Sequence, residues 1–133
     1  MTSLDHAAAS WTPRLHAVLR IVLAILFIAH GMVKLFAFPE GALPGQVPLF
    51  SLFGIAGLLE LFGGAAILLG VFTRPVACLL SGQMAVAYFM VHAPQGFYPV
   101  LNGGELAIIY CFAFLYLSAA GAGPWSIDAR LRA

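Results

Sequence analysis

The stretch that decides the fold is "LHAVLRIVLAILFIAHGMVKLFAF", residues 15–38. It is mostly apolar, and its length matches the ~20 residues that a helix needs to cross a ~30 Å hydrocarbon layer. Its second half nevertheless contains His30 and Lys34, which are four positions apart and so lie on one face of a helix. A secretory signal has an apolar core of only ~7–15 residues. We therefore expect this segment to be retained as a transmembrane helix.

The composition of the whole chain leads to the same class of protein. Of its 133 residues, 62% are hydrophobic and only 8% are charged, with a mean hydropathy of +1.00. A soluble domain is about half apolar and about a quarter charged, and a chain this short has too little interior to bury so much apolar surface. The lipid bilayer is therefore the expected partner. No basic patch or aromatic stacking array appears in the sequence, so no nucleic-acid partner is expected.

The apolar stretches predict an all-α fold: a polytopic membrane protein that forms a bundle of four transmembrane helices. The expected spans are about 15–38, 49–72, 75–92 and 104–121, within one domain covering residues 1–133. Segments rich in Pro and Gly separate them, "FPEGALPGQVP" after the first and "APQGFYPVLNGG" after the third. Helices are the expected element because lipid offers no partner to an unpaired backbone group.

The arginines predict the orientation. With four spans, both termini and the second connector share one side of the membrane. Every arginine of the chain lies in or near these regions: Arg14, Arg20, Arg74, Arg130 and Arg132. Because positive residues concentrate in cytoplasmic segments, both termini are expected in the cytoplasm.

The intramembrane polar residues predict the site. At ~1.5 Å of rise per residue, they run from the middle of the bundle to its outer surface and suggest an outward-facing cleft with Glu60 at its floor. The candidate ligand-binding residues are His30, Lys34, Glu60, Gln83 and Glu105, and the candidate catalytic residues are Glu60 and His30.

Each of these polar residues also has a purely structural interpretation. Glu60 could pin two helices together rather than bind a ligand or a proton. Lys34 could extend to the outer interface, or it could pair with Glu60 or Glu105. His30 could be a satisfied core histidine. No metal site is predicted, and Cys78 and Cys111 are expected to differ by roughly 15 Å in depth, too far for a disulfide.

Four motifs resemble the DoxX family of small four-helix membrane proteins. They are "LRIVLAILFIAHGMVKLF", "ELFGGAAILLGVFTRP", "GQMAVAYF" and "NGGELAIIYCFAFLYLSAAGAGPWSID". The resemblance implies that the family's marked polar positions are Arg20, His30, Lys34, Glu60 and Glu105. It further implies that the marked glycines are Gly31, Gly63, Gly64 and Gly70, and that Ser126 and Asp128 are marked in the tail. Members are often labelled oxidoreductases, because relatives resemble the small membrane subunit of thiosulfate–quinone oxidoreductases.

The leading hypothesis is therefore a multi-pass, redox-associated subunit of the bacterial inner membrane that binds a quinone-like or small polar ligand. Because no side chain here carries electrons alone, redox chemistry would require a cofactor such as a quinone, or a redox partner protein. The alternative is a non-catalytic scaffold or accessory subunit of a larger complex. A small transporter is the third hypothesis and would require a homo-oligomer, because four short helices leave little room for a lumen.

Overall fold

The computed structural model describes all 133 residues as helices joined by loops, without a β-strand. We number the helices in chain order. They are α1 (Ser3–Phe36), α2 (Leu52–Leu69), α3 (Thr73–Gln95), α4 (Pro99–Asn102), α5 (Glu105–Ala120) and α6 (Ile127–Leu131). Helices α1, α2 and α3 are long and apolar enough to cross a membrane, whereas the apolar helix α5 has 16 residues. The protein is thus an all-α membrane protein.

The helix limits differ from the predicted spans at two ends. Helix α1 begins at Ser3, well before Leu15, because Thr2 and Asp5 form a reciprocal capping box at its start. This N-terminal extension is exposed and projects beyond the apolar stretch. Helix α3 continues to Gln95 through a π-helical turn and a 3₁₀ turn.

The core lies between α1, α2, α3 and α5. Phe27 of α1 packs on Tyr110 and Phe114 of α5, with ring centroids 5.1 Å and 4.8 Å apart. Ile67 of α2 and Leu80 of α3 complete its fully buried centre. Many large apolar side chains of the same helices are exposed instead, as expected for surfaces that face lipid.

Glycines bring α1 and α2 unusually close together. A Cβ added to Gly31 would lie 2.8 Å from both the carbonyl oxygen of Gly57 and the backbone nitrogen of Leu61. Gly64 likewise lies against Ile28 of α1. Gly57, Glu60 and Gly64 share one face of α2, and all three are buried. Small residues at such a contact let two backbones approach each other.

Candidate ligand-binding site

An ion pair joins α1 and α2 at the centre of the predicted site. The Lys34 Nζ donates to both carboxylate oxygens of Glu60, at 2.7 Å to Oε1 and 2.6 Å to Oε2. The two side chains are only 12% and 4% exposed. Charge-assisted contacts of this kind are the strong hydrogen bonds of protein interiors, so each residue neutralises the other where water is scarce.

The local backbone places Glu60 against α1. Residues Leu59–Gly63 of α2 form a π-helical turn, a distortion that often occurs at functional sites. The Cβ of Glu60 lies 3.2 Å from the position that a Cβ on Gly31 would take. The close glycine contact and the ion pair are therefore two parts of one junction.

His30 lies one helical turn before Lys34 and faces α5. Its ring meets the ring of Tyr110 edge-on, with centroids 5.9 Å apart and an interplanar angle of 90°. The imidazole is exposed, and neither ring nitrogen forms a hydrogen bond within the protein. The histidine is therefore not the satisfied core residue that was one of its two predicted interpretations.

Tyr110 adds a residue that the sequence analysis did not name. It is only 3% exposed, and its hydroxyl forms no hydrogen bond with another group of the protein. Because a buried tyrosine hydroxyl usually finds a partner, Tyr110 and His30 together form an edge of unpaired polar groups. The tyrosine ends the motif "GGELAIIY", but a sequence motif does not reveal whether a hydroxyl is left without a partner.

Gln83 brings α3 to the same region. Its Nε2 donates to the carbonyl oxygen of Ala56 on α2 at 3.3 Å, and its buried Oε1 has no partner. Four helices thus contribute polar side chains to this part of the bundle: His30 and Lys34 from α1, Glu60 from α2, Gln83 from α3 and Tyr110 from α5.

Glu105, the other carboxylate with which Lys34 could pair, does not contact it. It is the first residue of α5, its side chain is exposed, and it forms neither a hydrogen bond nor an ion pair. Lys34 instead uses both oxygens of Glu60. The depth of a residue along its helix could not discriminate between these two carboxylates, because the choice depends on how the helices are rotated.

Two open grooves lie on the surface of the bundle, and neither contains the ion pair. The larger has a volume of about 670 Å³ and lies between the end of α1, the first connector and α2, where Leu35, Gln46 and Leu61 contribute to its wall. The smaller lies at the other end of the bundle. A ligand at His30 would therefore contact an open edge of the bundle.

A second polar network ties the opposite end of the bundle together, which we call the arginine end. The Arg20 side chain is fully buried and donates to backbone carbonyls at the end of α2 and in the segment before α6. The acceptors are Ile67, Leu68, Ala122, Pro124 and Trp125, at 2.6–3.4 Å. A cation at a helix C-terminus is stabilised by the exposed carbonyls and the helix dipole, so Arg20 requires no carboxylate.

Arg74 and Asp128 complete this network. Arg74 donates to the carbonyl oxygens of Ser118 and Ala119 at the end of α5. Asp128 of α6 accepts from the backbone N–H groups of Phe72 and Thr73 at the start of α3, at 2.9 Å each. Each charge thus lies at the helix end that its sign favours, and α6 is tied to the bundle.

The residues of the candidate site can be compared with the range that a family model matches. The model of the DoxX family matches residues 15–93, more than half of the chain, including His30, Lys34, Glu60 and Gln83. The chain belongs to the DoxX family. The sequence resemblance is therefore confirmed, although Glu105 and Tyr110 lie beyond the matched range.

Individual DoxX relatives cover most of the chain. An uncharacterised protein of Haemophilus influenzae is 42% identical over 122 residues, covering 89% of this chain and 91% of the relative. The inner membrane protein YqjF of Escherichia coli is 32% identical over 120 residues, covering 84% and 87% respectively. An uncharacterised membrane protein of Mycobacterium tuberculosis is 26% identical over 154 residues, covering 98% and 94%. No solved structure matches the chain.

Proposed function

We propose that this DoxX protein is a redox-associated subunit of the bacterial inner membrane, and that it binds a small polar or quinone-like ligand at His30. The observation that carries the proposal is the exposed imidazole of His30, whose two ring nitrogens have no partner in the protein. An ionisable side chain in a membrane span normally faces the protein interior, a water-filled cavity or a partner. The His30 ring packs against Tyr110, but its two nitrogens have no hydrogen-bond partner within the chain, so a bound group would satisfy them.

The residues present fit a carbonyl-bearing ligand. An imidazole N–H and a tyrosine hydroxyl are both donors to a carbonyl oxygen, and the rings of His30 and Tyr110 lie edge to face, with centroids 5.9 Å apart. A quinone would supply the electron-carrying chemistry when bound. The chain itself would orient the carbonyl group of the ligand and hold a proton. Glu60 is the carboxyl group that α2 contributes, and Lys34 is its counter-charge.

The redox part of the proposal rests on the resemblance to family members that are labelled oxidoreductases. The location in the inner membrane is supported by the relative from Escherichia coli, which is named as an inner membrane protein. Catalysis by this chain alone is not part of the proposal, because electrons must come from the ligand or from a partner protein.

The proposal includes four spans with both termini in the cytoplasm. Helix α5 is shorter than α1, α2 and α3, at 16 residues or about 24 Å, and it packs most extensively against α3. A short span is accommodated by local thinning of the bilayer. Fusions of green fluorescent protein after Ala133 and of alkaline phosphatase after Gly41 and Gly96 test this orientation. We expect the fusion after Ala133 to fluoresce and the phosphatase to be active after both Gly41 and Gly96. An inactive phosphatase at either position would exclude four spans with cytoplasmic termini.

Ligand binding is tested directly with ubiquinone-1 and the purified protein in nanodiscs. We expect saturable binding in a thermal-shift titration, weakened at least about ten-fold by His30→Gln because one good hydrogen bond in a dry site is worth about 1.4 kcal/mol. The matched control is His6→Gln, since His6 lies in the exposed N-terminal extension of α1. Equal binding by both variants, or no saturable binding by the wild type, would exclude a quinone-like ligand at His30.

A second candidate function is a scaffold or accessory subunit. The observation in its favour is that Lys34 and Glu60 satisfy each other and lie in the glycine contact of α1 with α2, as a purely structural pair would. In that case a partner protein or a second copy covers His30. Native mass spectrometry separates the two functions: a small-molecule adduct lost in His30→Gln supports the ligand site, whereas a protein complex lost in the same variant supports the scaffold.

A further inference from the structure

A groove at the arginine end has the chemistry of a lipid site. It has a volume of about 350 Å³ and lies between the last turn of α2 and the start of α6. Leu68 and Leu69 form one wall, and Trp125, Ile127 and Arg130 line the other, with Ser126 between them. It is far along the chain from His30 and does not depend on the proposed function.

The groove is built by the buried arginine. Arg20 draws the carbonyl oxygens of Pro124 and Trp125 inward, at 3.4 Å and 2.8 Å. The Trp125 backbone takes the left-handed conformation, with φ of 56°, which is rare for a bulky residue. Its indole is 61% exposed and lines the groove. We attribute both the left-handed backbone and the exposed indole of Trp125 to the hydrogen bond between its carbonyl oxygen and Arg20.

Helix α6 holds Arg130 in a fixed place beside this groove. The Ser126 hydroxyl accepts from the N–H of Ala129 at 3.1 Å, which caps α6. The N–H of Asp128 donates to the carbonyl oxygen of Gly70 at 2.8 Å. Because the cap orders α6 and the Asp128–Gly70 bond ties it to the end of α2, the backbone of Arg130 is held beside the groove that its side chain lines.

Arg130 is also the groove's unused cation. The guanidinium groups of Arg20 and Arg74 donate hydrogen bonds to backbone carbonyl oxygens. The Arg130 side chain is exposed and forms no hydrogen bond or ion pair within the protein. A guanidinium matches the geometry of a phosphate, and basic pockets at helix ends in membranes bind anionic head groups.

We propose that this groove binds one anionic phospholipid. Its phosphate contacts Arg130, and an acyl chain lies along Leu68, Leu69 and Ile127. Trp125 lies at the interface between the two, the depth at which tryptophan is enriched in membrane proteins. Charge complementarity selects the occupant, since the apolar walls alone would accept any lipid.

Native mass spectrometry measures the head-group preference. The protein is incubated with phosphatidylglycerol and with phosphatidylcholine of identical acyl chains. We expect the wild type to retain phosphatidylglycerol preferentially, and Arg130→Gln to lose about five-fold of that preference, which corresponds to about 1 kcal/mol per basic residue near anionic lipid. Arg130→Lys should retain most of it. The matched control is Arg14→Gln, because Arg14 is exposed and stacks on Trp11 instead.

A second readout locates the lipid. With Trp11→Phe in the background, Trp125 is the sole tryptophan. Phosphatidylglycerol with brominated acyl chains should quench its fluorescence more than brominated phosphatidylcholine does, and Arg130→Gln should remove the difference. Equal quenching by the two lipids in the wild type would overturn the proposal. An equal loss of preference in Arg130→Gln and Arg14→Gln would also overturn it, because only general surface charge would then be acting.

Discussion

The Lys34 ammonium and the Glu60 carboxylate, 26 positions apart in the chain, meet through both carboxylate oxygens at 2.6–2.7 Å. They meet beside a close contact of α1 with α2, at which Gly31 lies against Gly57 and Leu61. A buried charge without its partner is costly, whereas an apolar pair of similar volume is often tolerated. The stability of this junction therefore depends on keeping both charges or removing both.

The first prediction concerns that dependence. Lys34→Met leaves Glu60 buried without a counter-charge, and we expect a loss of about 3 kcal/mol in the free energy of unfolding, with a smaller loss for Glu60→Gln. The double variant Lys34→Met with Glu60→Leu should lose clearly less than the sum of the two single losses. Denaturant titrations in mild detergent measure these values. Strictly additive losses would mean that the two side chains do not interact.

Gly31 gives a test of the helix contact itself. Gly31→Ala places a methyl group 2.8 Å from two backbone atoms of α2, which cannot give way as a side chain would. We expect α1 and α2 to move apart and the unfolding midpoint to fall, at a cost of about 2 kcal/mol, within the range for overpacking.

The matched control for Gly31 is Gly82→Ala. A Cβ on Gly82 of α3 meets no atom within 4 Å. Because alanine is the better helix former by about 0.5–1 kcal/mol, this variant should be neutral or slightly stabilising. A thermal scan measures the unfolding midpoint of both variants. Similar midpoints for Gly31→Ala and Gly82→Ala would show that the close contact at Gly31 does not affect stability.

Arg20 is the subject of the third prediction. Arg20→Met removes the donor that holds the end of α2 and the segment before α6, and several buried carbonyl oxygens lose a partner at about 1–3 kcal/mol each. We expect a severe loss of stability and release of α6, measured as faster proteolysis of the C-terminal segment. Arg20→Lys should rescue only part of it, because one ammonium cannot reach acceptors on both segments.

Arg14 provides the comparison for Arg20. Its guanidinium is exposed and lies 5.4 Å from the Trp11 ring centroid. Arg14→Met and Arg14→Lys should both remain as stable as the wild type within about 0.5 kcal/mol. Equal behaviour at the two positions would contradict a structural role for the buried arginine.

The sequence predicted the class of protein and the residues of its polar clusters better than it predicted their partners. Gly57 and Gly64 are two helical turns apart, so their spacing places them on one face of α2, and the structure buries both. Lys34 had two possible carboxylates because depth along a helix says nothing about rotation around its axis. Only the packed bundle turns Glu60 inward and leaves Glu105 exposed.

Other features were missed for a different reason. Arg20 was interpreted through its charge and its side of the membrane, yet its partners are backbone carbonyls, which every residue carries and which no sequence pattern marks. The extension of α1 to Ser3, by contrast, was readable. Thr2 and Asp5 have the spacing of a capping box. The apolar stretch that begins at Leu15 indicates where the helix enters lipid and not where the helix starts.

The last prediction uses the acid dependence of Asp128, whose carboxylate caps α3 and ties α6 to the bundle. Burial raises the pKa of Asp128, but the N–H groups of Thr73 and Phe72 lower it further, so its pKa lies below the ordinary 3.8. A depressed pKa stabilises the fold above the unfolded-state value, and this contribution is lost as the pH falls through the folded-state value. Asp128 should therefore contribute fully at pH 5–7, and its contribution should begin to fall near pH 4 and be lost as the pH drops below the folded-state pKa.

The measurement compares the wild type with Asp128→Ala. The unfolding midpoint of each is recorded in detergent from pH 7 to pH 3, so that every other acidic group cancels in the difference between them. We expect a constant gap at neutral pH, with the variant less stable, and a gap that closes as Asp128 of the wild type is protonated. A gap of the same size at every pH would mean that Asp128 acts through its packing and not through the charge that accepts the two N–H groups of α3.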